Sequence, residues 1–368
     1  MIFPSGGSAN VVLLGRGSSG ARQIIKTSMN RPLKLFYSVQ QYRSHRRVAL
    51  IYRRLLAAHC TLVPDIEEAD VVVLHHEPDE LANLFSSIPI LRHKYTVAYC
   101  VWEATALPKH FIPALRLVNE VWTCSTYCAA VFGQYHDAVY IVPHPISRDM
   151  YISDIDLKGL QKKLCLSENG ITFLAIGRFW DKRKNLEQLC NTFSSLRLQM
   201  PDAVLVVKCS IDDVKPAGRR SNIHVFSEDL SDRQVNALYK LSSIVVSAHH
   251  AEGWGLTLSD ALLFGKYVIA PRYSGNLMFL NDDNSFLVHS AEKQIEPADR
   301  YLNFDETMCW GYPDLGHLAE TLLLAHATAR VPDQRRADII DTLEAYSLSA
   351  IREILRVQIK RLGQMLCA

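Results

Sequence analysis

The chain has 368 residues, 48% hydrophobic and 21% charged, which excludes a disordered polymer and leaves material for two domains of ordinary size. Formal net charge is +2; no apolar run is long enough to span a bilayer, and the opening MIFPSGGSAN is not a secretory signal. Nine cysteines, most of them in apolar runs such as those around Cys100, Cys190 and Cys209, read as reduced core thiols of a cytosolic protein, and the pair Cys124 and Cys128 has no second pair at zinc-site spacing.

The expected elements start with the strand VVLLG from Val11, followed by the glycine-rich turn GRGSSGARQII. Strands KLFYS (from Lys34), DVVVLH (from Asp70), YTVAYCV (from Tyr95), EVWTC (from Glu120) and VYIVP (from Val139) follow. Amphipathic stretches such as VALIYRRLLAAHC lie between several of them, the rhythm of parallel strands with crossover helices. No Asp or Glu precedes Asp65, whereas Arg16, Arg22, Lys26, Arg31, Lys34, Arg43, Arg46, Arg47, Arg53 and Arg54 do. That bias points to an anionic partner, a membrane surface or an acidic acceptor; a solvated face neutralised elsewhere in the fold is the plain alternative. No nucleic-acid reading motif accompanies it, so no nucleic acid is expected.

A polar segment, ISRDMYISDIDLKGLQKKL, then interrupts the rhythm. The second series is ITFLAIG (from Ile171), AVLVVKC (from Ala203), IHVF (from Ile223), SIVVSA (from Ser243), YVIAP (from Tyr267) and SFLVH (from Ser285). Two doubly wound α/β domains are expected, 1–147 and 148–345, with ligands at the carboxyl ends of the strands in a cleft between the domains. A last helical stretch, 346–368, is expected to pack back on the first domain.

Three segments carry chemistry. In EGWGLTLSDALLFGKYVIAP, Glu252 lies in a glycine turn and Asp260 stands eight positions later, in the first turns of a helix. Gly253 and Gly255 let the backbone approach a ligand, and the N–H groups of Gly255, Leu256 and Thr257 at the helix start form an anion cradle. Two carboxylates beside it suit sugar hydroxyls. In AIGRFWDKRKNLEQL, Arg178 follows a strand and Lys184 precedes a helix. Two fixed cations there can clamp a diphosphate leaving group; an exposed charged turn, which Lys182 and Arg183 would share, is the bland reading. In the third segment, Gly15, Gly17 and Gly20 match G-x-G-x-x-G, but no acidic residue follows at ribose spacing, so Gly17 and its neighbours are expected to form a backbone wall along the diphosphate or acceptor.

Together these segments resemble family 4 of the retaining glycosyltransferases, with the GT-B fold of two Rossmann-like domains. The resemblance spans most of the chain and is strongest from about Ile171 to Val288. WEATALP (from Trp102), EVWTCSTY (from Glu120), YIVPHPI (from Tyr140) and YSGNLMFL (from Tyr273) resemble a bacterial polysaccharide or O-antigen branch. The resemblance implies transfer of a hexose from a GDP- or UDP-sugar to a glycan or lipid-linked acceptor, with no metal ion and no cofactor beyond the donor. It implies that Glu252 hydrogen-bonds the donor sugar and Asp260 the ribose diol, while Arg178 and Lys184 neutralise the diphosphate, helped by amides near Gly255, Leu256 and Thr257. It also implies that the SEDLSD loop meets the base, with Glu228 near it and Leu230 packed against it.

The sequence departs from the family pattern twice. The second acid is Asp260 where the family has glutamate, and Glu103 stands where many members have a histidine. Glu103 is expected either to orient the acceptor or accept its proton, or to be a structural ion-pair partner. His75, His76, His249 and His250 are candidate linings at strand ends without metal spacing. His144 stands between two prolines near the domain junction, Asp154-x-Asp156 falls in the polar linker away from any strand end, and Trp180 and Trp254 are expected to pack. A non-catalytic nucleotide-sugar or glycan-binding protein of the same fold, or an NAD-type enzyme, remain the alternatives. The expected location is cytoplasmic, peripheral on the inner membrane face.

Overall fold

The computed structural model describes residues 31–40, 43–167, 169–211, 213, 221–330 and 336–367. The strand expected from Val11, the glycine turn with Gly15, Gly17 and Gly20, and the cations Arg16, Arg22 and Lys26 lie outside the described residues. The chain divides into two compact units. Unit 1 comprises residues 1–102, 107–145 and 344–368; unit 2 comprises 103–106 and 146–343.

Unit 1 holds β1 (Lys34–Val39), β2 (Thr61–Leu62), β3 (Val71–His75), β4 (Tyr95–Tyr99), β5 (Glu120–Thr123) and β6 (Val139–Ile141). They form one sheet in the order β2-β1-β3-β4-β5-β6, every pairing parallel. The run VVVLH of β3 is buried throughout, as a central parallel strand covered on both faces must be. The helix Arg43–Leu56 lays Val48, Tyr52, Leu55 and Leu56 inward and leaves Arg46, Leu50, Arg53 and Arg54 exposed. The last helix, Leu348–Leu366, packs beside it in the same unit. Ser347 caps that helix through Ala350 N–H, and Arg361 on it pairs with the buried Glu120 and stacks on Tyr140 at 3.9 Å.

Unit 2 holds β7 (Ile171–Ile176), β8 (Ala203–Cys209), β9 (Ile223–Ser227), β10 (Ile244–Val246), β11 (Tyr267–Pro271) and β12 (Phe286–Val288). Read from one edge the order is β9-β8-β7-β10-β11-β12, again all parallel. The chain winds outward one way from β7 and the other way from β10. Those neighbours are therefore the switch point, where the loops leaving adjacent strands part and open a crevice. Phe173, Leu205, Val207, Ile244 and Ile269 of the sheet pack with Leu189 and Phe193 of the helix Leu186–Ser195 and with Leu318 and Leu322 of the helix Leu315–Thr328.

An antiparallel hairpin, β13 (Ser290–Gln294) with β14 (Cys309–Pro313), follows β12 in unit 2. The sequence reading holds no counterpart for it or for the short β2. The six strands of unit 2 and the five others of unit 1 fall where hydrophobic runs are expected. The nine cysteines are thiols outside any disulfide, and only Cys165 is exposed. Among the described residues no helix is long and apolar enough to cross a membrane.

Candidate functional site

The loops leaving β7 and β10 carry the charged residues. After β7 the chain passes Gly177, Arg178 and Phe179, makes a single helical turn at Lys182–Lys184, and enters the next helix through Asn185 in the left-handed conformation (φ 51°). The Asp213 carboxylate accepts from Phe179 N–H at 2.9 Å and fixes the start of this loop. After β10 the chain runs through His249, His250 and Glu252 to Gly255, whose φ of 95° suits glycine, and then into the helix Leu256–Leu263. No side chain caps that helix at Gly255. The amide groups of its first turn, at Leu256 and Thr257, present the positive end of the helix.

Glu252 is buried between two cations. Lys184 Nζ pairs with its Oε1, and Arg183 Nη1 lies 3.3 Å from its Oε2. Burial would raise its carboxyl, but Lys184 and Arg183 outweigh burial and hold it at about 2. The backbone is held as firmly. Glu252 N–H donates to Ser274 Oγ at 2.8 Å, and Glu252 C=O accepts from Gly275 N–H at 2.8 Å. A Cβ on Gly275 would stand 1.9 Å from Gly253 O, so only glycine fits there. Ser274 itself takes φ 73°, a conformation non-glycine residues rarely adopt.

Arg183 overturns the reading of the 181–184 run as an exposed charged turn. Its guanidinium is buried, donates to Ala251 C=O (2.8 Å) and Asp181 Oδ2 (3.1 Å), and lies 3.8 Å from Glu103 Oε1. In this 3-10 turn, closed by a left-handed Asn185, Arg183 and Lys184 both face Glu252 and Lys182 is exposed. Asp181 also accepts from the Tyr301 hydroxyl, so the buried network extends to a partly exposed phenol. Residues 103–106 belong to unit 2: Glu103 C=O accepts from Trp310 Nε1 at 2.8 Å, and Thr105 Oγ1 accepts from Cys309 N–H at 2.7 Å. Glu103 therefore faces Arg183 as an ion-pair partner.

Asp260 is 3% exposed and sits in the second turn of its helix. Arg148 Nη1 donates to its Oδ2 at 3.1 Å. The same guanidinium bonds Asn236 Oδ1 through Nε and Asp232 C=O (3.2 Å) through Nη2. Asn236 in turn donates to Asp149 C=O (2.7 Å) and Tyr151 C=O (3.0 Å), which ties the segment carrying Arg148 to the helix Asp232–Leu241. Arg148 is absent from the sequence reading. It stands in a polar segment without periodicity; the one signal was the shortened acid at 260, which leaves room for a long cation beside it.

Arg178 lies half-buried over the Trp180 ring at 5.4 Å. Trp180 is 44% exposed, which corrects its expected packing role; Trp254 is buried as expected, against Phe279. Leu230 is buried, and Glu228 is exposed and paired with Lys163. Gly17 lies outside the described residues. His249 is fully buried and bridges Ser247 Oγ (2.9 Å) and Asn276 Oδ1 (3.1 Å); burial lowers it to about 4, so it is neutral. His250 is buried against Trp310 and Tyr312, its Nδ1 3.1 Å from Gly311 O. Asp154 and Asp156 open the helix Asp154–Lys163, where Ser153 Oγ caps Asp156 N–H. A cavity of about 270 Å³ lined by Phe179, Lys182, His250, Asp299 and Tyr312 shares Asp181 with this network. It contains none of Lys184, Glu252 and Asp260, so the charged constellation and not that cavity defines the site. Among the described residues no group of three or more His, Cys, Asp or Glu is placed to hold a metal ion.

Residues 160–303, which include Arg178, Lys184, Glu252 and Asp260, match the family described as glycosyl transferases group 1. No curated protein sequence matches the chain. Solved structures do. HepE (Alr3699) of Anabaena, determined with UDP and glucose, is 13% identical with a TM-score of 0.62, over 90% of this chain and 100% of that one. A glycosyltransferase from Rickettsia africae ESF-5 is 13% identical with a TM-score of 0.63, over 90% and 99%. WaaG, a glycosyltransferase involved in lipopolysaccharide biosynthesis, is 15% identical with a TM-score of 0.58, over 89% and 99%. The chain has the GT-B fold. Within that fold its charged residues gather at the β7–β10 switch point of the second unit.

Proposed function

We propose that the protein is a nucleotide-sugar-dependent glycosyltransferase that moves a hexose from a UDP- or GDP-sugar to a glycan or lipid-linked acceptor with retention at the anomeric carbon. The observation that carries this reading is the pairing of Glu252 with Lys184 and Arg183 beside a helix start that no side chain caps. An anion with hydroxyls attached meets both halves of that arrangement: amides and cations for the phosphates, a carboxylate for the sugar. The match of residues 160–303 and the UDP and UDP-glucose complexes of HepE make UDP-sugars the first donors to test.

In the reaction the bond from the anomeric carbon to the diphosphate oxygen breaks, its electron pair staying on the diphosphate. The acceptor oxygen bonds to that carbon on the same face, and its proton passes to the departing diphosphate. Lys184 and Arg178 take up the charge that builds on the leaving group, the part a divalent ion plays in other phosphate chemistry. Activity unchanged by EDTA is the expected outcome, and loss of activity that added divalent ion restores removes the assignment. Asp260, oriented by Arg148, is assigned the ribose diol.

Calorimetry or thermal shift with UDP, GDP and their sugars tests the reading, since a bound donor stabilises the folded state by mass action. Binding of none of them overturns it. For the acceptor side we propose contact with an anionic membrane on its cytoplasmic face, supported by exposed Arg46, Leu50, Arg53 and Arg54 on one helix. Liposome binding that needs anionic lipid and weakens with salt is expected; equal binding to neutral liposomes removes the electrostatic part.

A further inference from the structure

Glu252 has two cations, and they differ in freedom. Lys184 is a flexible chain whose side chain keeps 22% of its surface exposed. Arg183 is locked: Ala251 C=O and Asp181 take its N–H groups, Glu103 lies beyond, and its own C=O accepts from His250 N–H at 2.7 Å. In the free protein Lys184 is spent on Glu252. To neutralise a diphosphate it has to leave that carboxylate.

We propose that Arg183 is a positioning residue that keeps Glu252 charged and in place when Lys184 transfers from Glu252 to the donor diphosphate. The proposal rests on the nucleotide-sugar reading above. Its logic is a hand-over. Glu252 must accept charge-assisted hydrogen bonds from sugar hydroxyls on its oxygens, and only the carboxylate form provides these. Among the described residues the charged or titratable groups that face it are Lys184 and Arg183 from the turn after β7 and His249 from its own loop, with Glu103 and Asp181 on the far side of Arg183. His249 is neutral and uncharged neighbours complete the wall, namely Ser274 and Gly275 on the backbone of Glu252. Once Lys184 has moved, Arg183 is the positive group that remains paired with Glu252 among the described residues. Without it a buried carboxyl with no cation takes up a proton, so one oxygen becomes a donor and the charge-assisted bonds to the sugar are lost.

The experiment measures kcat at saturating donor, for hydrolysis or transfer, from pH 5 to 9, because kcat reports the ionisation of the donor complex in which Lys184 has left Glu252; UDP or GDP affinity is measured in parallel. Wild type is expected to be flat across the acidic half of this range. Arg183→Gln is expected to lose activity toward acid, by about tenfold per pH unit below a midpoint of about 6 or higher. Its affinity for the bare nucleoside diphosphate, which has no sugar for Glu252 to meet, stays within about threefold. Arg183→Lys restores the flat profile. Lys184→Met lowers the rate but keeps the flat profile, because Arg183 alone still holds Glu252; this arm stands even where Arg183→Gln does not fold. An Arg183→Gln profile that drops equally at all pH, or an acid limb in Lys184→Met, overturns the proposal. Absence of nucleotide and nucleotide-sugar binding by wild type overturns the functional reading itself and is seen separately.

Discussion

The two sheets share parallel construction but end in opposite chemistries. At the carboxyl end of the unit 1 sheet, Tyr37, Tyr52, His75, Tyr99 and His144 form a neutral stack. His75 lies on Tyr99 at 4.3 Å, Tyr37 hydroxyl reaches His75 Nδ1 at 2.8 Å, and Tyr52 and Tyr99 donate to Pro143 and Val142 carbonyls at 2.7 and 2.9 Å. Burial pushes His75 and His144 well below the usual histidine range, so both are uncharged. At the carboxyl end of the unit 2 sheet a network of ions stands beside the neutral His249: buried Asp181, Arg183 and Glu252 and half-buried Lys184, with Arg148 and Asp260 nearby. Burying ions costs several kcal/mol each unless partners compensate, whereas a stack of neutral rings costs little. A fold that keeps the costly arrangement at one sheet end and the cheap one at the other marks the first as the place for a charged ligand.

That contrast can be broken from the charged side first. Arg183→Met removes the partner of three carboxylates and is expected to destabilise unit 2 by about 3–5 kcal/mol, read as a lowered urea midpoint. Glu252→Ala and Lys184→Ala are each expected to lose at least about tenfold in activity, matching the roughly 1.5–3 kcal/mol of a charge-assisted bond; wild-type turnover by a folded variant removes the role assigned to it. Tyr52→Phe tests the neutral end. It leaves the Pro143 carbonyl without its donor and should cost about 1–3 kcal/mol of stability while nucleotide affinity is unchanged.

A pH series sharpens the comparison. A histidine whose folded pKa is depressed stabilises fully above its unfolded value of about 6.5 and loses that contribution as pH falls below it. Unit 1 should therefore weaken from about pH 6.5 downward, followed by hydrogen exchange in β3 and β4, and His75→Gln should flatten the dependence. Glu252 has a depressed carboxyl, so its contribution is present above about 4.3 and is lost as pH falls toward 2. The smallest effect is expected from Trp180→Ala, within about 0.5 kcal/mol in a melting experiment, because the ring is exposed.

The strands were legible because buried parallel strands are nearly continuous apolar runs, and Glu252, Asp260 and Lys184 because glycine turns and helix starts announce backbone amides. Arg183 was not, because DKRK offers three adjacent cations and nothing in the run's letters says which of them the turn buries. Arg148 reaches Asp260 across 112 positions of chain, and no local pattern encodes such a contact. β13 reads SAEKQ, polar but for Ala291, and is held by pairing with β14 rather than by a hydrophobic face.

The glycine contact under Glu252 sets a rule for redesign. Gly275 sits where any side chain would strike Gly253, and Ser274 and Gly275 bond both backbone groups of Glu252. The acid loop and the segment 273–276 are thus a single transplantable part. A chimera that imports Glu252 with its glycines but keeps a host's own loop after β11 inherits the letters of the motif and not its geometry.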